Sequence, residues 1–207
     1  MIVGNGLVAK ALRGIDRNDV TLFASGVADS SCNSEKEFER ERSLLEYYSL
    51  QDRILVYIST CSVSGIQTRY FSHKKSMEDI ARTASEYRII RLPPIINSPK
   101  GLFRFISDNV KNEIWFPVYK NALRRTITTG DVARSLLEII DLPNGVYDVA
   151  SSDELSIQDI VSAFERIHGK SAVTTEVDLG NRFLVNSSHL VGGDGYIVSS
   201  IERHYSQ

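Results

Sequence analysis

Cysteine, methionine and tryptophan are scarce in this chain of 207 residues, present in two, two and one copies. Two cysteines, Cys32 and Cys61, cannot build the disulfide framework of a small secreted domain, and they suit a reducing, cytoplasmic setting. No Cys or His spacing matches a metal site, so no metal is expected. Cys61 reads as a small strand-end residue and Cys32 as a loop residue, both passive. No apolar run is long enough to span a bilayer, and Met1-Ile2-Val3 is too short and lacks the basic flank of a signal peptide. Neither sign of charge dominates: 24 Lys and Arg against 26 Asp and Glu leave a formal net charge of −2. That balance removes the electrostatic footprint of a nucleic-acid or membrane partner. Internal repeats and low-complexity stretches are absent as well. What is there, 42% hydrophobic and 24% charged residues, is enough for one good core.

Apolar periodicity alternates along the chain between strand and helix. Ser34-Glu35-Lys36-Glu37 has the form of a capping box and opens a helix through about Ser49, after which a β-rich run starts at Ile54. Met77, Ile80, Ala81 and Ala84 form the core face of a helix that follows Tyr70. A strand near Arg88 to Leu92 ends at Pro93-Pro94. Asp131 to Ile140 reads as an amphipathic helix with Val132, Leu136, Leu137 and Ile140 inward, and Gly145 to Ala150 as a strand. Ser156-Ile157-Gln158-Asp159 caps a helix that stops at Gly169. This alternation predicts an α/β fold with a largely parallel sheet.

Two spacings carry chemistry. Gly4-Asn5-Gly6-Leu7-Val8-Ala9, between a strand and a helix, has the GxGxxA form of a dinucleotide turn. Gly4 permits the tight turn, Gly6 lets the backbone approach a pyrophosphate, and Ala9 lets helix and strand pack closely. Tyr70 and Lys74 lie one helical turn apart on one face. A cation beside a phenol stabilises the phenolate and lowers its pKa from about 10, which makes a proton shuttle. Plainer readings stand beside these. Tyr70 can be an amphipathic residue with Lys74 a solvated neighbour, Thr60 a β-former at a strand end, and Arg124 with Arg125 an exposed basic pair. His73, on a different helix face, reads as a surface residue, and Asp131 as an acid favoured by a helix N-terminus.

In this order the motifs resemble the extended short-chain dehydrogenase/reductases, the NAD-dependent epimerase/dehydratase family, in a shortened form. Val20 to Gly26 is similar to the family's fourth strand and the small-residue turn over the cofactor. Ile54 to Val63 resembles its fifth strand, with Thr60 where the family keeps a catalytic Ser or Thr, and Tyr70 and Lys74 match its YxxxK pair. Tyr87 to Pro94 resembles the sixth strand and the turn beside the nicotinamide, and Arg124 to Ala133 the segment whose first Arg grips a nucleotide-sugar phosphate. The resemblance implies NAD or NADP held by Gly4, Asn5, Gly6, Leu7, Val8, Ala24, Ser25, Tyr70, Lys74 and Pro93. It implies catalysis by Thr60, Tyr70 and Lys74, with Arg124 on the substrate. Tyr70 would take a proton from a sugar hydroxyl, and Lys74 would hold the nicotinamide ribose and lower the Tyr70 pKa. The expected layout is a single α/β domain: a Rossmann-like core over about 1–96, then a small substrate lobe over about 97–207, with a strand near 146–150 returning to the sheet. Family members pair through the helices that here span Glu35 to Ser49 and Ser72 to Glu86, so a homodimer is expected.

The departures are as informative. Phe23-Ala24-Ser25-Gly26 stands where an adenosine-ribose Asp or Glu belongs, so the family's second and third strands are absent by the simplest alignment. The strand-order reversal that creates the cofactor crevice then disappears, and right-handed crossovers put the first helix on the face proper to a step toward the fourth strand. Between Thr60 and Tyr70 the loop, with Gly65 and Gln67, is short and leaves little wall for a large substrate. Two functions follow: an NAD(P)-dependent epimerase or reductase on a nucleotide-linked sugar, as in polysaccharide synthesis, or a non-catalytic descendant serving as a binding or scaffold protein.

Overall fold

Short runs rich in β-branched and aromatic residues supply five parallel strands of one sheet: β1 (Ile2–Val3), β2 (Val20–Phe23), β3 (Ile54–Thr60), β4 (Tyr87–Leu92) and, much later in the chain, β7 (Gly145–Ser151). The computed structural model describes residues 1–15, 17–64, 68–178 and 187–206. They divide into a first unit of Met1–Leu92 with Thr129–Val149 and a second of Pro93–Thr128 with Ala150–Gln207. In the first unit the strands lie in the order β1-β2-β3-β4-β7, with β1 at the edge. No strand flanks β1 on its other side among the described residues. The sheet therefore runs in one direction from its first strand, without a reversal of strand order, as the alignment of Val20–Gly26 with the family's fourth strand implied.

Alternation along the strands splits the core of this unit into two faces. Val3, Phe23, Leu55, Tyr57 and Ile89 point to the side covered by α2 (Glu35–Ser49) and α3 (Arg69–Ala81), where they meet Leu45, Met77 and Ala81. Each large apolar side chain fully buried there contributes roughly 1.5–3 kcal/mol. Leu22, Val56 and Ile90 alternate with that set and are equally buried, so they face the opposite side. The remaining helices of the unit, α1 (Leu7–Ala11) and α5 (Thr129–Ile139), pack against each other. Because β1→β2 and β2→β3 step in the same direction while α1 and α2 lie on opposite faces, the two crossovers have opposite hands. This corrects the expectation that α1 would share the face of α2. The right-handed preference, obeyed in about 98% of such connections, yields here to the burial of Ala9 and Leu12 on the α5 side. That is also the face α1 would occupy if β1 were followed by a strand on its far side.

Of the capping box expected at Ser34 the structure shows the Ser34 half, and Thr68, not singled out in the sequence, caps α3 in the same way. Ser34 Oγ accepts from Glu37 N at 3.4 Å and Thr68 Oγ1 from Phe71 N at 3.2 Å. Helix α3 ends at Ala81, earlier than its apolar periodicity suggests. Ala84 is buried beyond its end, and Ile80 is half-buried. Leu137 is 57% exposed, not inward; Val132, Leu136 and Ile139 already fill the inner stripe of α5.

The second unit contains α4 (Leu102–Lys111), β5 (Phe116–Tyr119), β6 (Leu123–Arg124), β8 (Leu155–Ser156), α6 (Ile157–His168), β9 (Thr174–Val177), β10 (His189–Val191) and α7 (Tyr196–Tyr205). Strands β5 and β9 pair in parallel and β6 and β8 antiparallel. Phe103, Ile106, Val110, Phe116, Val161, Phe164, Ile197 and Ile201 form its core. Helix α6 has a complete capping box between Ser156 and Asp159 and stops at Gly169, whose φ is 62°. The first unit takes in α5 as well as Met1–Leu92, and α5 packs on α1.

Candidate functional site

At the C-terminal ends of β1 and β2 two short turns meet. Gly4 has φ 123°, and a Cβ built there would lie 2.5 Å from Ala24 O and 3.0 Å from Ser25 N. Only glycine allows this approach, so Gly4 and Ala24–Ser25 form one backbone crossing. Gly4, Asn5 and Gly6 are exposed, with Leu7 and Val8 half-buried. A Cβ on Gly6 would meet nothing within 4 Å, which leaves the open approach that a pyrophosphate needs. This turn fits the dinucleotide motif. The adenosine half of the motif does not: among the described residues no strand flanks β1 on its outer side, and Phe23-Ala24-Ser25-Gly26 after β2 carries no acid for a ribose.

Thr60 ends β3 half-buried, its Oγ1 accepting from Ser62 N at 3.3 Å. Tyr70 and Lys74 occupy the inner face of α3. Tyr70 is 6% exposed, packed on Val27 and Phe38, with its ring centroid 5.9 Å from Lys74 Nζ. Lys74 does not lower the pKa of Tyr70 in this arrangement. Burial, with added repulsion from Glu41, pushes the phenol well above its ordinary value. The reason is where the ammonium goes: Lys74 Nζ donates to Glu41 Oε1 at 2.9 Å and to Tyr57 OH at 3.2 Å. Burial pulls Lys74 below its ordinary value, and Glu41 opposes that pull.

Glu41 of α2, which sequence reasoning missed, organises this interior. It has no exposed surface, and its carboxylate accepts from Tyr57 OH at 2.7 Å, from Lys74 and from the Val27 backbone N–H at 2.7 Å. Its Oε2 also lies 3.0 Å from His73 Nε2. Burial alone would raise the Glu41 pKa. The hydrogen bonds from His73 and Lys74 and the Lys74 charge outweigh it and hold the carboxyl at about 2. His73 is therefore not the surface residue expected: it is 7% exposed and stacked 4.5 Å from the Phe38 ring. A signal was present in the sequence. Phe38, Glu41, Leu45 and Ser49 fall on one helical face, which places an acid in an otherwise core-facing stripe.

The remaining expected residues lie in the second unit. Pro93 is buried, and Arg124 of β6 is 9% exposed, its Nη1 donating to Leu123 O at 3.0 Å. Burial draws the Arg124 guanidinium down to about 10. Arg125 is not a free surface cation but bonds Glu154 Oε1 at 2.7 Å. Gly65 and Gln67 fall outside the described residues. Both cysteines are free, and burial pushes the Cys61 thiol well up, which leaves it unreactive. No cluster of His, Cys, Asp and Glu suited to a metal occurs among the described residues, and no helix there is long and apolar enough to cross a membrane. An open groove of about 470 Å³ at the end of α6, lined by Glu165, Arg166 and Lys170, includes none of the expected site residues.

In fold the chain is similar to solved nucleotide-sugar epimerases, dehydratases and reductases, several of them crystallised with NAD or NADP. The chain is similar to UDP-glucuronic acid 4-epimerase from Bacillus cereus, solved with UDP-glucuronic acid and NAD: TM-score 0.69, 18% identity, 97% of this chain and 77% of that one covered. It is also similar to dTDP-4-dehydrorhamnose reductase from Bacillus anthracis, solved with NADP, with TM-score 0.68, 14% identity and 90% and 80% coverage. A third likeness is UDP-N-acetylglucosamine 4-epimerase from Bacillus cereus, at TM-score 0.68, 13% identity and 97% and 83% coverage. At these identities the likeness is one of fold. No protein-family model matches the chain, and no curated protein matches its sequence.

Proposed function

We propose that this protein binds NAD or NADP and acts as an epimerase or reductase on a nucleotide-linked sugar, as a shortened relative of the epimerase/dehydratase family. The observation that carries the reading is the crossing of Gly4 with Ala24–Ser25 beside an open Gly6, in the same unit as Thr60, Tyr70 and Lys74. Gly4, Asn5, Gly6, Leu7 and Val8 would hold the pyrophosphate with backbone groups, and Ala24 and Ser25 would lie alongside. Pro93 would border the nicotinamide, and Lys74 would donate to its ribose. The bound cofactor supplies hydride transfer. Tyr70, kept protonated by burial, would donate its proton to a carbonyl oxygen as hydride is delivered in a reduction, whereas epimerisation would first need its phenolate to take the sugar hydroxyl proton; in both the Thr60 hydroxyl would share the hydrogen bond to that oxygen. Arg124 would meet the substrate diphosphate through its planar fork of donors. Cys32 and Cys61, free thiols, suit work in the cytoplasm.

A second reading, a binding or scaffold protein without catalysis, is favoured by one specific observation: Glu41 and Tyr57 already take up Lys74. Titration with NADH and NADPH, read by nicotinamide fluorescence with Gly6→Arg as control, separates the two. Saturable binding that the control loses is the expected result, followed by loss of turnover in Tyr70→Phe. Absence of binding up to millimolar nucleotide would leave the scaffold reading. The homodimer stays part of the proposal, although the outward residues of α3 (Arg69, Ser72, Lys75 and Asp79) and most of those of α2 are polar. Sedimentation of the purified protein decides it.

A further inference from the structure

Residues 24–27, which follow β2, form a strap that is tied down by two successive residues of α2. Arg40 donates from Nη1 to Ser25 Oγ at 3.1 Å and from Nη2 to Ser25 O at 3.0 Å. Glu41 accepts the Val27 N–H at 2.7 Å. Between these ties Gly26 sits directly on the buried ion pair: a Cβ there would lie 2.5 Å from Lys74 Nζ and 2.7 Å from Glu41 Oε1. A Cβ at this position would have to push the ammonium or the carboxylate aside or lift the strap.

We propose that Glu41 is a latch on the cofactor site: its carboxylate fastens Lys74 beneath the strap 24–27, and a nicotinamide dinucleotide is bound only when Glu41 gives up the ammonium. The inference rests on the cofactor reading of the previous subsection and adds a condition to it. Lys74 has three donors, two of them engaged by Glu41 and Tyr57, and the strap closes over the ammonium. A ribose offers two neutral hydroxyls. Glu41 offers a charge, and a charge-assisted hydrogen bond is roughly twice as strong as a neutral one. Water does not loosen the pair, since the side chains of Lys74 and Glu41 are 4% and 0% exposed. The latch therefore sets the affinity of the site, and Glu41 acts by positioning Lys74.

Two variants test this. Glu41→Gln keeps an acceptor for Lys74 and removes the charge; Gly26→Ala keeps the charge and lifts the strap by its methyl group. Each, if the latch exists, binds NADH or NADPH about tenfold or more tightly than the wild type, with fold checked by near-ultraviolet circular dichroism. Hydrogen exchange of the Val27 amide supplies a reading that needs no cofactor: in Gly26→Ala it speeds up by about tenfold or more, because the tie to Glu41 is stretched. Wild-type binding that Gly6→Arg abolishes, with affinity unchanged in both folded variants, overturns the latch and leaves the cofactor reading standing. Failure of all three proteins to bind either nucleotide overturns both. Unchanged Val27 exchange in Gly26→Ala overturns the latch even where Glu41→Gln does not fold.

Discussion

Helix α3 meets a fully buried carboxylate in each half, and the two are handled differently. Toward its N-terminal end His73 and Lys74 face Glu41, which is 0% exposed, and both are buried with it: the side chains of Lys74 and His73 are each 4% exposed. Toward its C-terminal end Glu78, also 0% exposed, accepts from Ser59 Oγ at 2.7 Å and from Arg91 Nε and Nη2 at 2.8 and 2.7 Å. Its cations reach water, however, the Arg91 side chain being 20% exposed and that of Arg82 35%. Glu78 is an anchor on the surface side, where arginine forks span from solvent to interior. Glu41 is sealed, and a sealed charge cannot recover its hydration when a partner is lost. The cluster that resembles catalytic machinery is thus also the one whose disruption costs most.

The sharpest way to break the comparison is Glu41→Ala, which strands the Lys74 charge and orphans Tyr57 OH and Val27 N–H. Loss of one member of a buried pair costs about 3–5 kcal/mol, and urea denaturation should show that loss. Replacing Glu41 and Lys74 together, by Gln and Met, should recover part of it. Acid supplies the next largest effect. Glu41 is held at about 2 against an ordinary value of 4.5, so its contribution is complete above the unfolded value and is lost as pH falls through that range toward 2. At about 1.4 kcal/mol per pKa unit this amounts to about 3 kcal/mol. Denaturation midpoints at pH 6 and pH 3 check it, and in Glu41→Gln the acid loss should shrink to what the other carboxylates, Glu78 among them, contribute.

Much of the fold was legible, because apolar periodicity and turn residues are local. The strands at Ile54 and Arg88, the caps at Ser34 and Ser156 and the stop at Gly169 required nothing beyond neighbours in the chain. Even the missing strands could be read, since Val20–Gly26 follows the glycine turn with too little chain between. Two things were not legible. The face of α1 depends on its packing against α5, more than 100 residues away, and the burial of Ala9 and Leu12 overrides the usual hand. The partner of Lys74 was read as Tyr70, one helical turn away, whereas the ammonium turned to Glu41 on another helix. A spacing of four shows that two residues share a face; it does not show which third residue that face meets. The acid at the core-facing position 41 was the available clue.

The smaller predictions probe the vented half of α3. Glu78→Gln keeps a planar acceptor for Ser59 and lets Arg91 and Arg82 turn to water, so its cost should be about 1–2 kcal/mol, well below that of Glu41→Ala. Smallest is Arg82→Ala. Its guanidinium lies 3.3 Å from Glu78 and 2.8 Å from Asp79, but the side chain is 35% exposed and Arg91 alone still engages both Glu78 oxygens. An ion pair so placed contributes about 0.2–1 kcal/mol, weakened further by salt. Denaturation of Arg82→Ala at low and high ionic strength should give a difference from wild type that shrinks with salt. A loss as large as that of Glu41→Ala would mean that Glu78 is as sealed as Glu41, and the contrast between the two halves of α3 would fall.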